Sequence, residues 1–202
     1  MKALSSAAVL LVLAACGARA DEAEGVDLGE LNASIGRDYE AAVPYADLVE
    51  EALQHRVVLY GEVHDQPEAA RNFLQLVESL RQRSTTPMRI GIEFVDRGDW
   101  DLLVRYLQRT LGEEEFLARL MPTSLLLYPE MAPAHLEILR YARRHGIEVL
   151  PLESRPAGAR SLVWRDSEIR WNLSTQLGRH ATERLVVLYG VQHVLGPDAV
   201  TE

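Results

Sequence analysis

The chain has one cysteine, Cys16, one lysine, Lys2, and no apolar run of membrane-spanning length. A single cysteine excludes any intramolecular disulfide, so the stability of the domain has to come from packing and hydrogen bonding. Every cation other than Lys2 is an arginine. That pattern reads as a coding bias and decides nothing about function. Basic residues are also in the minority, 21 Lys and Arg against 30 Asp and Glu, for a net charge of -9. Neutralising nucleic-acid phosphates takes clustered positive charge, so a nucleic-acid partner is not expected. The longest apolar stretch, Ala7 to Ala15, is too short to cross a hydrocarbon core of about 30 Å as a helix.

What is present places that stretch. Met1-Lys2 supplies a positive head and the apolar run follows it, which is the layout of an export leader. The run ends in Leu13-Ala14-Ala15-Cys16, which resembles the lipobox of bacterial lipoproteins. Residues 1–16 are therefore expected to be a signal peptide, with Cys16 lipidated and first in the mature chain. The resemblance implies an exported protein held to a membrane by its lipid, at the outer membrane or the periplasmic face, since Gly17 and not Asp follows the cysteine. Ala18-Arg19-Ala20 also satisfies ordinary secretory cleavage, and either route exports the chain. Residues 17–45 are acidic, lack an apolar period and read as a tether.

With 202 residues, 48% hydrophobic and 25% charged, the chain has room for one domain, expected over residues 46–202. Apolar periodicity predicts helices at 46–55, from Pro67 onward, and at 98–109, 113–120, 131–145 and 166–179. Short β-rich runs lie between them: VVLY at 57–60, MRIGIEF at 88–94, IEVLPL at 147–152 and LVVLY at 185–189. Strands alternating with helices predict an α/β fold, a mostly parallel sheet with helices on both faces and a small helical insertion between Asp96 and Ile147. Ligands of such sheets sit beyond the carboxyl ends of the strands. Those ends run into Glu62 and His64, Glu93, Glu153 and His193.

Two of these ends repeat each other. VVLYGEVH at 57–64 and VVLYGVQH at 186–193 share six of eight positions, including both glycines and both histidines. If the two strands are neighbours, His64 and His193 look into one crevice. Glu62 lies two residues before His64, on the same side of an extended chain, and Glu93 joins from the next strand end. Two imidazoles with one or two carboxylates can hold a divalent transition metal, through His64, Glu93 and His193, or can form a hydrolytic base in which a glutamate orients a histidine. His145 before Gly146 is expected to serve a helix end, and Glu153 to pair with Arg155. Asp96 and Arg97 are expected to cap or bridge locally. Trp100, Trp164 and Trp171 fit either core or pocket wall.

The order GEVHD, GIEFVDR, RDSEIRWNL and GVQHV over residues 46–197 resembles the ChaN family of haem-binding lipoproteins, in the Tiki/TraB and erythromycin-esterase-like superfamily. The resemblance implies haem as cofactor, a role in haem or iron acquisition, and a homodimer as the candidate assembly, since relatives sandwich haem between subunits. In distant relatives it implies a metal-dependent hydrolase. Carried over, the motifs fall on Gly61, Glu62, His64, Glu93, Gly190 and His193, with Arg165 and Asp166 at a helix head, where Arg165 would anchor a carboxylate of ligand or protein. In the hydrolase branch Glu62, His64, Glu93, Arg165 and His193 would be catalytic, with His64 the base. In the haem branch His64 and His193 are candidate ligands, and Tyr128, His135 and Tyr141 are further candidates by side-chain type. His193 lies nine residues before Glu202 and the insertion is compact, which implies a reduced apolar wall for a porphyrin.

Overall fold

The computed structural model describes residues 9–13, 43–64, 66–120, 130–154 and 162–191. Among the described residues, five strands and six α-helices follow in the order β1 Val9–Leu13, α1 Tyr45–Gln54, β2 Val57–Glu62, α2 Pro67–Arg83, β3 Met88–Ile92, α3 Trp100–Leu107, α4 Glu113–Arg119, α5 Ala132–His145, β4 Glu148–Pro151, α6 Leu162–Arg179 and β5 Arg184–Gly190. All strand pairs are parallel, in the order β1-β2-β5-β3-β4. The last strand thus lies in the middle of the sheet, and β2 and β5, each built around a Val-Val-Leu-Tyr run, are buried along their whole length. The apolar run read as an export leader contributes β1, at the edge beside β2.

Helices cover both faces, as the alternating pattern predicts. On one face Val58, Tyr60, Ile90, Ile92, Val186 and Leu188 pack with α1, α2, α5 and the α3–α4 insertion. On the other, Val57, Leu59, Leu185, Val187 and Tyr189 pack against Ile169 and Leu173 of α6. The sequence explains α2 simply: Pro67 occupies its first turn, and Ala69, Ala70, Phe73, Leu76, Val77 and Leu80 recur at helical spacing on the buried side. Gly146 ends α5 in the left-handed region, φ 66°, and its N–H bonds back to the Ala142 carbonyl, as expected for the His145–Gly146 helix end. No helix among the described residues is long and apolar enough to cross a membrane.

Most boundaries fall within two residues of the sequence reading, and two of the differences bear on the strand-end residues. β3 stops at Ile92, so Glu93 and Phe94 belong to the turn beyond it. α6 begins at Leu162, four residues before the predicted start, which puts Arg165 at the end of its first turn and Asp166 just after it. Val163 and Trp164 are indifferent helix formers, and propensity yields here to tertiary contacts made through Arg165.

The repeat is also less symmetric than it looks. By sequence Val57 corresponds to Val186, but in the sheet Val57 faces Leu185 and Gly61 faces Tyr189. The two copies are staggered by one residue, and a one-residue slip turns a strand's side chains to the opposite face. Tyr60 accordingly packs edge-on against Phe73 on the α2 side, whereas Tyr189 lies in the α6 core.

Candidate functional site

At the carboxyl ends of β2, β3 and β4 stand three glutamates with almost no exposure: Glu62 at 2%, Glu93 at 3% and Glu153 at 1%. A buried carboxylate needs hydrogen-bond donors, and each finds them among the residues the fold brings to this end. Glu62 takes two imidazoles. Nδ1 of His64 lies 3.1 Å from Oε1, and Nε2 of His135 lies 3.1 Å from both carboxylate oxygens. Burial pushes the Glu62 pKa up, but the hydrogen bonds and charge of His135 and His64 together outweigh it and hold the group below its ordinary value. Glu62 is therefore an ionised acceptor, and both facing ring nitrogens must be the protonated ones. In its neutral form His64 then carries its lone pair on Nε2.

His135 is fixed as well as hydrogen-bonded. It is 3% exposed and its ring stacks on Phe94, centroids 4.0 Å apart and 5° from parallel. The sequence singled out His135 as an iron-ligand candidate by type. The structure instead commits its Nε2 to Glu62, which a ligand nitrogen could not be. Tyr141, offered on the same ground, is 7% exposed, packed in the core of the α5 face and beside the His145 ring.

Glu93 and Glu153 share Arg165. Its Nη2 lies 2.6 Å from Glu93 Oε1 and 2.9 Å from Glu153 Oε2, and its Nε bonds Glu153 Oε1. The hydrogen bond and charge of Glu153, with those of Glu93, raise the arginine's pKa against the opposing effect of burial. The carboxylates anchored by Arg165 are thus the protein's own. Glu153 pairs with Arg165, while Arg155, its expected partner, lies outside the described residues. Arg97, expected to act locally, bonds Asn172 of α6, while Asp96 caps the turn through the Gly98 N–H. Trp100 is half-buried against the α6 core, and Trp164 and Trp171 are 38% and 66% exposed.

Gly190 closes the arrangement. Its N–H donates to Glu93 Oε2 at 2.7 Å, and the following N–H, of Val191, bonds the Glu62 carbonyl at 2.8 Å. A Cβ at Gly190 would lie 2.5 Å from His64 Nε2 and 3.3 Å from Glu93 Oε2. Glycine is required here for close approach, not for a special φ. Nε2 of His64 is 4.0 Å from Glu93 Oε1. Strand order thus brings together Glu62, His64, Glu93, Glu153, Arg165 and Gly190, as the sequence predicts, and adds His135 as an anchor for Glu62. Cys16, Tyr128 and His193 lie outside the described residues. Among those described, no three candidate ligands gather in a metal-holding group.

A family model described as haem-binding uptake, Tiki superfamily, ChaN matches residues 48–164. No curated protein matches the chain. Among solved structures, the chain is similar to the C-terminal region of Pasteurella multocida toxin, reported with a thiol-protease-like catalytic triad, at 15% identity and a TM-score of 0.59. It is similar to the RRSP effector domain of a Vibrio vulnificus MARTX toxin, at 18% identity and 0.54. The matches cover 83% of this chain in both cases, but only 24% and 33% of the toxin chains. ChaN of Campylobacter jejuni, described with cofacial haem binding, matches at 11% identity and 0.50, over 75% of this chain and 76% of that one. At these identities the likenesses establish the shared fold.

Proposed function

This chain belongs to the ChaN family of haem-binding uptake proteins in the Tiki superfamily, and from that premise we propose that it binds haem at the Glu62–His64–Glu93 cleft. The observation that carries the reading is the setting of His64. Glu62 holds its Nδ1–H, which puts the lone pair of the neutral ring on Nε2, and the side chain is 28% exposed at the end of the sheet. A neutral imidazole nitrogen is a common axial ligand of haem iron, and a second-layer carboxylate on the other ring nitrogen fixes its orientation and raises its basicity. Val63 beside it, 37% exposed, offers apolar surface to a porphyrin edge. Arg165 fits a propionate partner poorly, because its bonds go to Glu93 and Glu153.

Bound haem would supply an iron that accepts such a nitrogen. His193 and Tyr128 are the further ligand candidates. The export reading belongs to the same proposal: residues 1–16 act as leader, Cys16 is lipidated, and the domain serves haem or iron uptake at a membrane surface, with a homodimer as its candidate assembly. Haemin added to the purified protein is expected to give a saturable shift of the Soret band. Absence of any saturable shift contradicts the proposal.

A second reading rests on the same dyad. An imidazole held at Nδ1 by a carboxylate is also a general base at Nε2, able to take a proton from water, with or without a divalent metal held by His64, Glu93 and His193. Its test is a hydrolase screen in which activity, if found, disappears in His64→Ala. Activity unchanged in that variant contradicts this reading.

A further inference from the structure

A cavity of about 420 Å³ lies at the pole of the sheet opposite the glutamate cluster, at the amino ends of β3 and β5. The last turn of α2 and the loop after it, the carboxyl end of α5 and the head of β5 build its wall. That wall contains Arg81, Arg184 and His145, with hydroxyls from Ser84, Thr85 and Thr86, and no Asp or Glu. In a chain of net charge -9, a carboxylate-free wall of this size is a local departure from composition.

Arg184 gives the departure its meaning. It is 6% exposed, its Nε donates to the His55 carbonyl at 3.1 Å and its Nη2 to the Leu53 carbonyl at 2.8 Å. It makes no ion pair among the described residues, and burial lowers its pKa. Arg89, buried to the same degree, has Glu148 at 2.6 Å and Glu183 at 3.5 Å, and Arg165 has Glu93 and Glu153. Taking a guanidinium out of water costs several kcal/mol, and neutral carbonyls return only part of that. Two of the five N–H donors of Arg184 go to those carbonyls, leaving a fork suited to an oxyanion.

The structural alternative is that Arg184 serves only to cap α1, as Arg56 caps the end of α6 through the Leu177 and His180 carbonyls. Capping accounts for two bonds. It does not account for the cavity, for Arg81 at its edge, or for the row of hydroxyls. The carboxyl ends of α2 and α5 each contribute roughly half a negative charge here, so recognition must come from the fixed guanidinium and the hydroxyls more than from net field. The volume is that of a small-molecule pocket, on the scale of about 300 to 1,000 Å³.

We propose that this cavity binds a small organic oxyanion, a phosphorylated or carboxylated compound whose charged head meets Arg184 and Arg81 and whose body lies on Pro87, Met88 and Ile147. The test is titration of the purified chain with inorganic phosphate and with citrate, against sodium chloride at matched ionic strength, by calorimetry and by the ring resonances of His145 and His64. Saturable binding of phosphate, citrate or both, shifting His145 and not His64, is expected, and the preferred anion identifies the head group. Arg184→Gln and Arg81→Ala are each expected to weaken binding at least about tenfold. Arg81 is exposed, so its variant carries the test if Arg184→Gln fails to fold. No saturable binding beyond the chloride control, or binding that survives Arg81→Ala unchanged, overturns the proposal.

Discussion

Glu62 accepts from two imidazoles with different duties: His135 is buried and stacked on Phe94, while His64 reaches the cleft. The folded state holds the Glu62 pKa below its ordinary value. The stability gained this way is present above the unfolded-state pKa and is lost as pH falls through the folded-state one. Replacing His135 by Leu leaves a buried carboxylate half satisfied, so His135→Leu is expected to cost about 1–3 kcal/mol at pH 7. Urea midpoints followed from neutral to acid pH should show that penalty shrinking once Glu62 is protonated. A penalty independent of pH would mean that His135 acts only by packing. Gly190→Ala tests the other side of the cleft: its Cβ would meet His64 Nε2 at 2.5 Å. The variant is expected to keep its circular dichroism and to lose haemin affinity by at least about tenfold, and unchanged affinity would remove His64 from the site.

Arg165 works at the scale of elements, since it ties the first turn of α6 to the ends of β3 and β4. Arg165→Met leaves Glu93 and Glu153 buried without their guanidinium and is expected to cost on the order of 3 kcal/mol, with α6 amides losing hydrogen-exchange protection first. Uniform loss of protection would contradict a local clamp. β1 poses the other question at this scale. If residues 1–16 are a leader, a chain lacking them should retain a cooperative thermal transition, with β2 as the new sheet edge. Loss of that transition would make β1 a structural strand.

Most elements were legible because their patterns are periodic: the apolar stripe from Ala69 to Leu80 and the four buried β-rich runs each declare themselves within a few residues. The start of α6 was not, because Leu162–Trp164 join the helix through contacts of Arg165 with strand ends distant in sequence. The register of β2 against β5 was hidden too. Identity between VVLYGEVH and VVLYGVQH says that the two strands are alike, but the one-residue stagger depends on how each packs, Tyr60 toward Phe73 and Tyr189 toward α6.

Over the whole molecule, the parallel sheet gives the two poles different chemistry. Strand carboxyl ends gather Glu62, His64, Glu93 and Glu153, and α6 brings Arg165 to them; the four strand-end residues could be read from sequence because each closes or follows a recognisable strand. The role of His135 could not, since α5 supplies it from 73 residues away and its type alone pointed to ligation. The opposite pole, with Arg184 and Arg81, had no motif to mark it; its composition becomes visible only when α2, α5 and β5 are brought together.

The central claim is that the family's haem-binding character resides in this chain at the His64 cleft. It is tested most directly by titrating haemin into the wild-type protein and into His64→Ala, His193→Ala and Tyr128→Phe, followed at the Soret band. The account predicts saturable binding by the wild type and at least about a tenfold loss in His64→Ala, with the other two variants identifying any second ligand. Tight binding retained in His64→Ala, or no binding by the wild type, would contradict it.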